Sequence, residues 1–179
     1  MKFKLRKIIL SVFLIVFVVS GLCAAQTNAT DEPILSDENL FEGFVYFADK
    51  QKTSLKSVKK KFASNLDSHY LGLEILKTLI EGTQLVHLES TWPKGTKINS
   101  FFITDDGKAY VDLNLEPGMV ETMDTQSELL AIYSMVNSLT LNISKIQMVK
   151  ILIQGEDAVT LAGHIDLEYF YKTNLLMVK

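Results

Sequence analysis

The chain has 179 residues and a formal net charge of −3, and 47% of its residues are hydrophobic. Residues 1–25 hold four of the 18 basic residues and none of the 21 acidic ones, so the remainder has 14 basic residues against 21 acidic and a formal charge of −7. A surface with this charge repels phosphate backbones, which disfavours nucleic acid as a partner. The single cysteine is Cys23, so the chain after it has no thiol for a disulfide, a nucleophile or a metal site.

The N-terminus has the pattern of an export signal. Residues 1–7 are basic, and residues 8–25 form an apolar run of about the length that separates cleaved signal peptides from membrane anchors. Three outcomes remain open: cleavage after Ala25, retention as an uncleaved anchor, and lipidation at Cys23. Because the basic flank stays in the cytoplasm, each outcome places the rest of the chain in the periplasm or on the outer face of the cytoplasmic membrane.

Residues 26–40 are polar and acidic and contain Pro33, which predicts a linker in front of a folded domain at residues 41–179. The domain begins with two predicted strands at residues 41–48 and 55–62, joined by a turn. Three consecutive lysines at 59–61 are interpreted as a solvated edge strand and not as a basic binding patch, because lysine discourages edge pairing.

A helix is predicted next, capped by Asn65 or Asp67 and ended by Gly82. Its predicted apolar stripe consists of Tyr70, Leu73, Leu76, Leu79 and Ile80. A turn at residues 92–95 leads to alternating runs at 96–103 and 108–115, and the Asp106-Gly107 pair between them predicts a hairpin.

A second helix is predicted to open with a capping box formed by Thr125 and Glu128. Residues 146–153 then form an apolar strand that ends at Gly155. From the first helix onward the order is helix, strand, strand, helix, strand. The pattern predicts an α+β fold in which two helices pack on a mixed or antiparallel sheet.

The C-terminal segment, residues 168–179, is unusually apolar for a chain end. It either packs against the sheet as an added strand or presents aromatic surface to a partner, and packing is the favoured interpretation.

Five segments occur in an order that matches a known family. They are VYFAD at 45–49, PKGTK at 93–97, DGKAYVDL at 106–113, the helix and strand at 128–155, and TLAGHIDL at 160–167. Together they resemble the GerMN (sporulation and spore germination) domain over about residues 41–167. The chain differs from that family in having Leu141-Asn142-Ile143-Ser144 where a Pro-Gly turn is frequent.

The resemblance implies a bacterial extracytoplasmic domain that has no known catalytic activity and is often tethered by a lipoprotein or membrane anchor. Its helix-strand-strand-helix-strand core is similar to the ring-building motifs of envelope channels. The matching signature residues, which we interpret as structural, are Gly107, Tyr110, Asp112, Gly155, Gly163, His164 and Asp166.

His164 is the best candidate for chemistry, because a histidine at an exposed turn can bind a metal or act as a base. His69 and His87 lie on other elements, and no zinc-binding spacing is present. The favoured interpretation is structural: Gly163 provides a turn, and His164 hydrogen-bonds to loop backbone. We expect no metal and no cofactor.

The leading interpretation is a non-enzymatic envelope domain that binds envelope proteins or another copy of itself and contacts the membrane only through its N-terminal segment. One alternative is a module that binds cell-wall glycan or a small ligand through exposed aromatic side chains, for which Trp92, Tyr169 and Tyr171 are the candidates. Another is a hydrolase with a pocket that joins His164 to Asp112 or Asp166. Possible interface residues are Trp92, Tyr169, Phe170 and Tyr171.

Overall fold

The computed structural model describes residues 39–116 and 118–179, so the export signal, Cys23 and most of the predicted linker lie outside the described residues. The elements in this part are β1 (Leu40–Asp49), β2 (Leu55–Ala63), α1 (Ser68–Glu81), β3 (Leu88–Glu89), β4 (Lys97–Ile103), β5 (Lys108–Asn114), α2 (Thr125–Thr140), β6 (Met148–Ile153) and a 3₁₀ turn at Leu175–Met177. Neither of these two helices has the length and apolarity needed to cross a membrane.

The predicted α+β fold is confirmed: residues 39–116 and 118–179 contain the two expected helices, and their strands divide between two sheets of three strands each. The first sheet has the order β2-β1-β3 and is antiparallel. The second has the order β4-β5-β6, in which β4 and β5 form the predicted antiparallel hairpin and β6 joins β5 in parallel. The parallel pairing is possible because α2 lies in the connection between β5 and β6.

Strand β2 lies at an edge of the first sheet, as the lysines at 59–61 predicted. All three lysines are exposed, and Lys59 forms an ion pair of 2.8 Å with Glu42 on the neighbouring strand. The lysines therefore lie at a solvated edge.

Helix α1 begins and ends where the sequence predicts. The Asp67 side chain accepts a hydrogen bond from the Tyr70 amide at 2.9 Å, and Gly82 follows the helix at a φ of 81°. The predicted apolar stripe is rotated, however, because Tyr70 is 59% exposed. The buried residues are Leu71, Gly72, Ile75, Leu76 and Leu79. Apolar residues at 70–73, 75–76 and 79–80 fit two overlapping stripes, and packing against β4 selects between them.

The capping box predicted for α2 is wrong. Asp124 caps this helix, because its carboxylate accepts a hydrogen bond from the Ser127 amide at 2.7 Å. Thr125 is the first helical residue, and Glu128 turns away from the helix terminus into the protein, where it is fully buried.

One hydrophobic core joins both sheets and both helices. Its members include Val45 of β1, Ile75 of α1, Val111 of β5, Ile132 of α2 and Ile151 of β6. Helix α2 contacts β1 as well as β6, so it links the two sheets.

The C-terminal segment packs against the domain, as favoured by the sequence. Tyr171 and Val149 exchange two backbone hydrogen bonds of 2.8 Å, and the Lys179 amide donates to the Leu55 carbonyl at 3.1 Å. Asn137 of α2 binds the backbone of Asn174 through both its amide nitrogen and its oxygen, at 3.0 and 2.9 Å. The backbone pairings at Tyr171 and Val178 are isolated bridges, so the segment crosses the domain without forming a regular strand.

Candidate functional site

Glu128 is the carboxylate that contacts His164, the histidine that the sequence marks as the best candidate for chemistry. The Glu128 Oε1 atom accepts hydrogen bonds from the backbone amides of Leu161 and Ala162, at 3.0 and 2.8 Å. Its Oε2 atom lies 3.0 Å from both the backbone amide and the Nδ1 atom of His164. One fully buried carboxylate thus holds four nitrogen atoms of a single loop.

A turn at Gly163 brings that loop to Glu128. Gly163 has a φ of 94°, and its amide donates to the Thr160 hydroxyl at 3.0 Å. Leu161 and Leu167 are buried on either side of the turn. The turn predicted at Gly163 is present, but His164 binds a buried carboxylate where hydrogen bonding to loop backbone was expected.

The other carboxylates proposed to act with His164 are engaged elsewhere. Asp112 accepts a hydrogen bond from the Gly155 amide at 2.8 Å, which joins β5 to the turn after β6. Asp166 accepts one from the Glu168 amide at 2.7 Å. Within the described residues no group of three or more histidine, cysteine, aspartate and glutamate side chains is arranged to hold a metal ion.

Lys150 is a second buried charged residue that sequence reasoning did not identify as important. Its ammonium group donates to the Leu167 carbonyl at 2.9 Å and forms a 2.5 Å ion pair with Asp157, while only 5% of its side chain is exposed. A lysine in the middle of an apolar strand was the available signal, because burial of such a charge requires partners. Through these bonds Glu128 and Lys150 hold the chain after β6 against the rest of the domain.

An aromatic surface lies on the face of the second sheet that points away from the core. It is formed by Phe102 on β4, Tyr110 on β5 and Phe170 from the C-terminal segment. The rings of Phe102 and Tyr110 are stacked with centroids 4.7 Å apart and an interplanar angle of 13°. Phe170 meets Tyr110 edge-on at 5.4 Å.

Charge and exposure distinguish this aromatic surface from the core. The Lys108 ammonium lies 5.8 Å from the Phe170 ring centre and pairs with Asp106 at 2.6 Å. Hydrogen bonding to the Asp106 carboxylate raises the pKa of Lys108. Phe102 is 46% exposed and stands on β4, an edge strand of its sheet. The arrangement offers apolar rings beside one lysine–aspartate ion pair, and one of the rings lies on the edge strand β4.

The predicted interface residues do not form one exposed cluster. Trp92 is only 3% exposed, so the expectation that it presents surface is wrong for this conformation. Tyr171 packs edge-on against Tyr133 at 5.7 Å and is half-buried, whereas Tyr169 is 66% exposed. Phe170 does contribute to the aromatic surface. Sequence reasoning missed Phe102 because the pairing of Phe102 with Tyr110 depends on the hairpin register.

Comparison with known proteins gives a family and a fold. A family model described as sporulation and spore germination matches residues 44–159, well over half of the chain. A search of curated proteins gave no match.

Three solved structures share the fold. A candidate lipoprotein from Clostridium perfringens is 24% identical, with a TM-score of 0.54 over 75% of this chain and 89% of that one. The tandem GerMN domains of the sporulation protein GerM from Bacillus subtilis are 18% identical, with a TM-score of 0.56 over 74% of this chain and 46% of that one. The first GerMN domain of the same protein is 18% identical, with a TM-score of 0.50 over 72% of this chain and 99% of that one. The matched region therefore has the extent of one GerMN domain.

Proposed function

The chain belongs to the family of sporulation and spore germination (GerMN) domains, and on this premise we propose that it is a non-enzymatic, extracytoplasmic domain of the bacterial cell envelope. It acts by binding other envelope proteins or a second copy of itself. The N-terminal segment exports it, and the domain contacts the membrane only through that segment when it is retained or lipidated. The resemblance of its fold to a candidate lipoprotein supports this location.

The aromatic surface is the observation that carries the proposal. Phe102 is exposed, and Tyr110 and Phe170 beside it are half-buried. Aromatic side chains grouped at a surface are typical of protein interfaces, where a few such residues provide most of the binding free energy. Phe102 and Tyr110 are already stacked, so little side-chain entropy is lost when a partner covers them. The position of Phe102 on edge strand β4 also allows a partner to reach backbone groups beside the rings.

The residues that a hydrolase would need support a non-enzymatic role. His164 and Glu128 hold a loop, and Asp112 and Asp166 bind backbone amides, so each has a structural partner. The glycan-binding alternative relied on Trp92, Tyr169 and Tyr171. Since Trp92 is buried, nothing in the described residues favours that alternative over protein binding.

The test is the mass of residues 26–179 in solution, measured by light scattering over a concentration series and combined with pull-down from envelope extracts. We expect either a discrete oligomer or specific capture of envelope proteins. Replacing Phe102→Ser should weaken that association about tenfold or more, because a central aromatic contact is lost.

Tyr70→Ser is the matched control, because Tyr70 is an exposed aromatic residue on α1 and not part of the aromatic surface. It should leave association unchanged. A strictly monomeric wild type whose captured proteins are the same with Phe102→Ser would contradict the proposal.

A further inference from the structure

A second feature, independent of the aromatic surface, is a pocket of about 210 Å³ beside Trp92. Ala48 at the end of β1 and Leu130 of α2 form its apolar floor. Met119 and Met123, from the loop before α2, line one side, and their unbranched side chains can move to fit a ligand. The pocket is therefore formed where the first sheet, the segment after β3 and the first turns of α2 meet.

Trp92 lines this pocket, and its side chain also carries a hydrogen-bond donor without a partner. Its indole Nε1 atom is buried and has no acceptor among the described residues. Buried donors in folded proteins almost always have a partner, so an unpartnered one needs an explanation. An acceptor that enters between the flexible methionine side chains and reaches this nitrogen would supply the missing partner.

The polar groups at the pocket mouth favour an acceptor that carries negative charge. Lys52 is the only charged residue that lines the pocket, and it forms no ion pair within 4.0 Å among the described residues. The Ser127 side chain also lines the pocket, at the N-terminal end of α2, where the helix dipole favours anions. The nearby Asp124 carboxylate caps α2 through its 2.7 Å bond with the Ser127 amide, and that bond and then the charge of Lys52 lower the pKa of Asp124, so a bound carboxylate would share Lys52 with Asp124.

We propose that this pocket binds a carboxylate attached to a short apolar group. The apolar group lies against Leu130 and the two methionines, and the carboxylate accepts hydrogen bonds from the Trp92 indole and from Lys52. An engineered 150 Å³ cavity holds benzene, so by proportion this pocket accommodates on the order of eight non-hydrogen atoms. A small carboxylic acid and the C-terminal residue of a peptide both have this chemistry.

Trp92 makes the test direct because it is the only tryptophan in the chain. The full chain is titrated with 4-methylpentanoate, with the neutral 4-methylpentanamide, and with a peptide that ends in leucine and has a free or an amidated C-terminus. Fluorescence emission and the single indole N–H resonance in an NMR spectrum are recorded. We expect saturable changes with the two carboxylates, a downfield shift of the indole proton, and binding at least about tenfold weaker for the two amides.

Lys52→Gln should weaken carboxylate binding by roughly two- to fivefold, as expected for one exposed charge. Lys60→Gln is the matched control: it removes a lysine from the solvated edge of β2 and should leave the affinity unchanged. Tighter binding of the free peptide than of 4-methylpentanoate identifies a chain terminus as the natural ligand, and equal binding identifies a small acid.

Two results would overturn the proposal. One is the absence of any saturable change in the indole resonance with either carboxylate. The other is equal affinity for the acids and the amides together with no effect of Lys52→Gln, since carboxylate recognition would then be absent even though the pocket is occupied.

Discussion

Glu128 illustrates how one residue can stabilise a loop that has little regular structure. The stretch from Leu161 to His164 has no strand or helix to satisfy its amides, and the Glu128 carboxylate accepts hydrogen bonds from three of them and contacts the His164 ring. Hydrogen bonds from this many donors offset the free-energy cost of burying the carboxylate. Glu128 is therefore a structural anchor of the loop that contains the family signature around Gly163 and His164.

Replacing Glu128→Gln should lower the free energy of unfolding by about 2–4 kcal/mol, because the amide loses the charge and presents N–H groups to N–H donors. Urea denaturation followed by Trp92 fluorescence measures this change. Glu81→Gln, at the exposed end of α1, is the control and should change stability by less than about 0.5 kcal/mol. A loss for Glu128→Gln no larger than that of the control would show that the anchor contributes little.

Single residues also show what could be predicted from the sequence. Gly107, Gly155 and Gly163 all have positive φ, between 79° and 94°, at turns that local sequence predicted. The partners of Glu128 could not be predicted, because Thr125-x-x-Glu128 satisfies a local capping rule while the actual donors are 33–36 residues away. Trp92 follows the same pattern: the turn after it was predicted, but its burial depends on α2 and β1 packing around it.

At the scale of elements, the last turn of α2 and Asn142 just after it bind backbone groups along the edge of β1. The amides of Phe44 and Tyr46 do not pair with β2. Instead they donate to the side chains of Asn142 and Ser138, at 2.9 and 3.0 Å. Asn142 also donates to the Phe44 carbonyl at 2.6 Å, so its amide group replaces a neighbouring strand. This role gives a physical reason for an asparagine where the family often has a Pro-Gly turn.

The limits of most elements were predicted within one or two residues, because caps, turns and alternation are local signals. Apart from the hairpin of β4 and β5, which strands share a sheet was not predicted. A β1 edge that is covered by Ser138 and Asn142 needs no third long strand, and side-chain coverage of this kind has no periodic signature. On the side of β1 that faces away from β2, the first sheet therefore has only the two-residue strand β3.

The packing of the C-terminal segment can be tested through the titration of the Tyr171 phenol. Burial, and then the neighbouring Tyr133, Asp166 and Glu128, raise the pKa of Tyr171 from its ordinary value of 10.0 to about 12. In the unfolded chain Tyr171 loses its proton near pH 10, but in the folded protein it keeps the proton up to about pH 12. Its contribution to stability is therefore complete below pH 10 and is lost as the pH rises from 10 to 12.

Tyr171→Phe keeps the ring against Tyr133 and removes this titration. We expect the free energy of unfolding of the wild type to fall more steeply than that of Tyr171→Phe between pH 10 and 12. Urea denaturation at several pH values measures both slopes. Tyr169→Phe is the control, because Tyr169 is 66% exposed, and its slope should equal that of the wild type. Identical slopes for the wild type and Tyr171→Phe would mean that the C-terminal segment does not hold this phenol in a buried position.

At the scale of the whole molecule, two separate sheets share one hydrophobic core. Val45 of the first sheet and Val111 of the second are 1% and 0% exposed and belong to the same cluster, which α1 and α2 complete. A smaller buried cluster of Tyr46, Ala48, Leu55 and Leu130 belongs to the first sheet and α2, but the larger cluster contains residues of both sheets. The α+β class followed from the order of elements, but a division into two sheets that share a core is a property of the complete packing.

This shared core predicts that both sheets unfold together. Val111→Ala in β5 should lower the free energy of opening by about 2 kcal/mol, because it leaves space in a well-packed core. Since the core is common, the amides of Val45 and Phe47 in β1 should lose the same amount of protection as those of β5. Native-state hydrogen exchange measures these free energies residue by residue. A loss confined to β4, β5 and β6 would instead define the second sheet as an independent cooperative unit, and α2 would then be a connector between two units and not the centre of one fold.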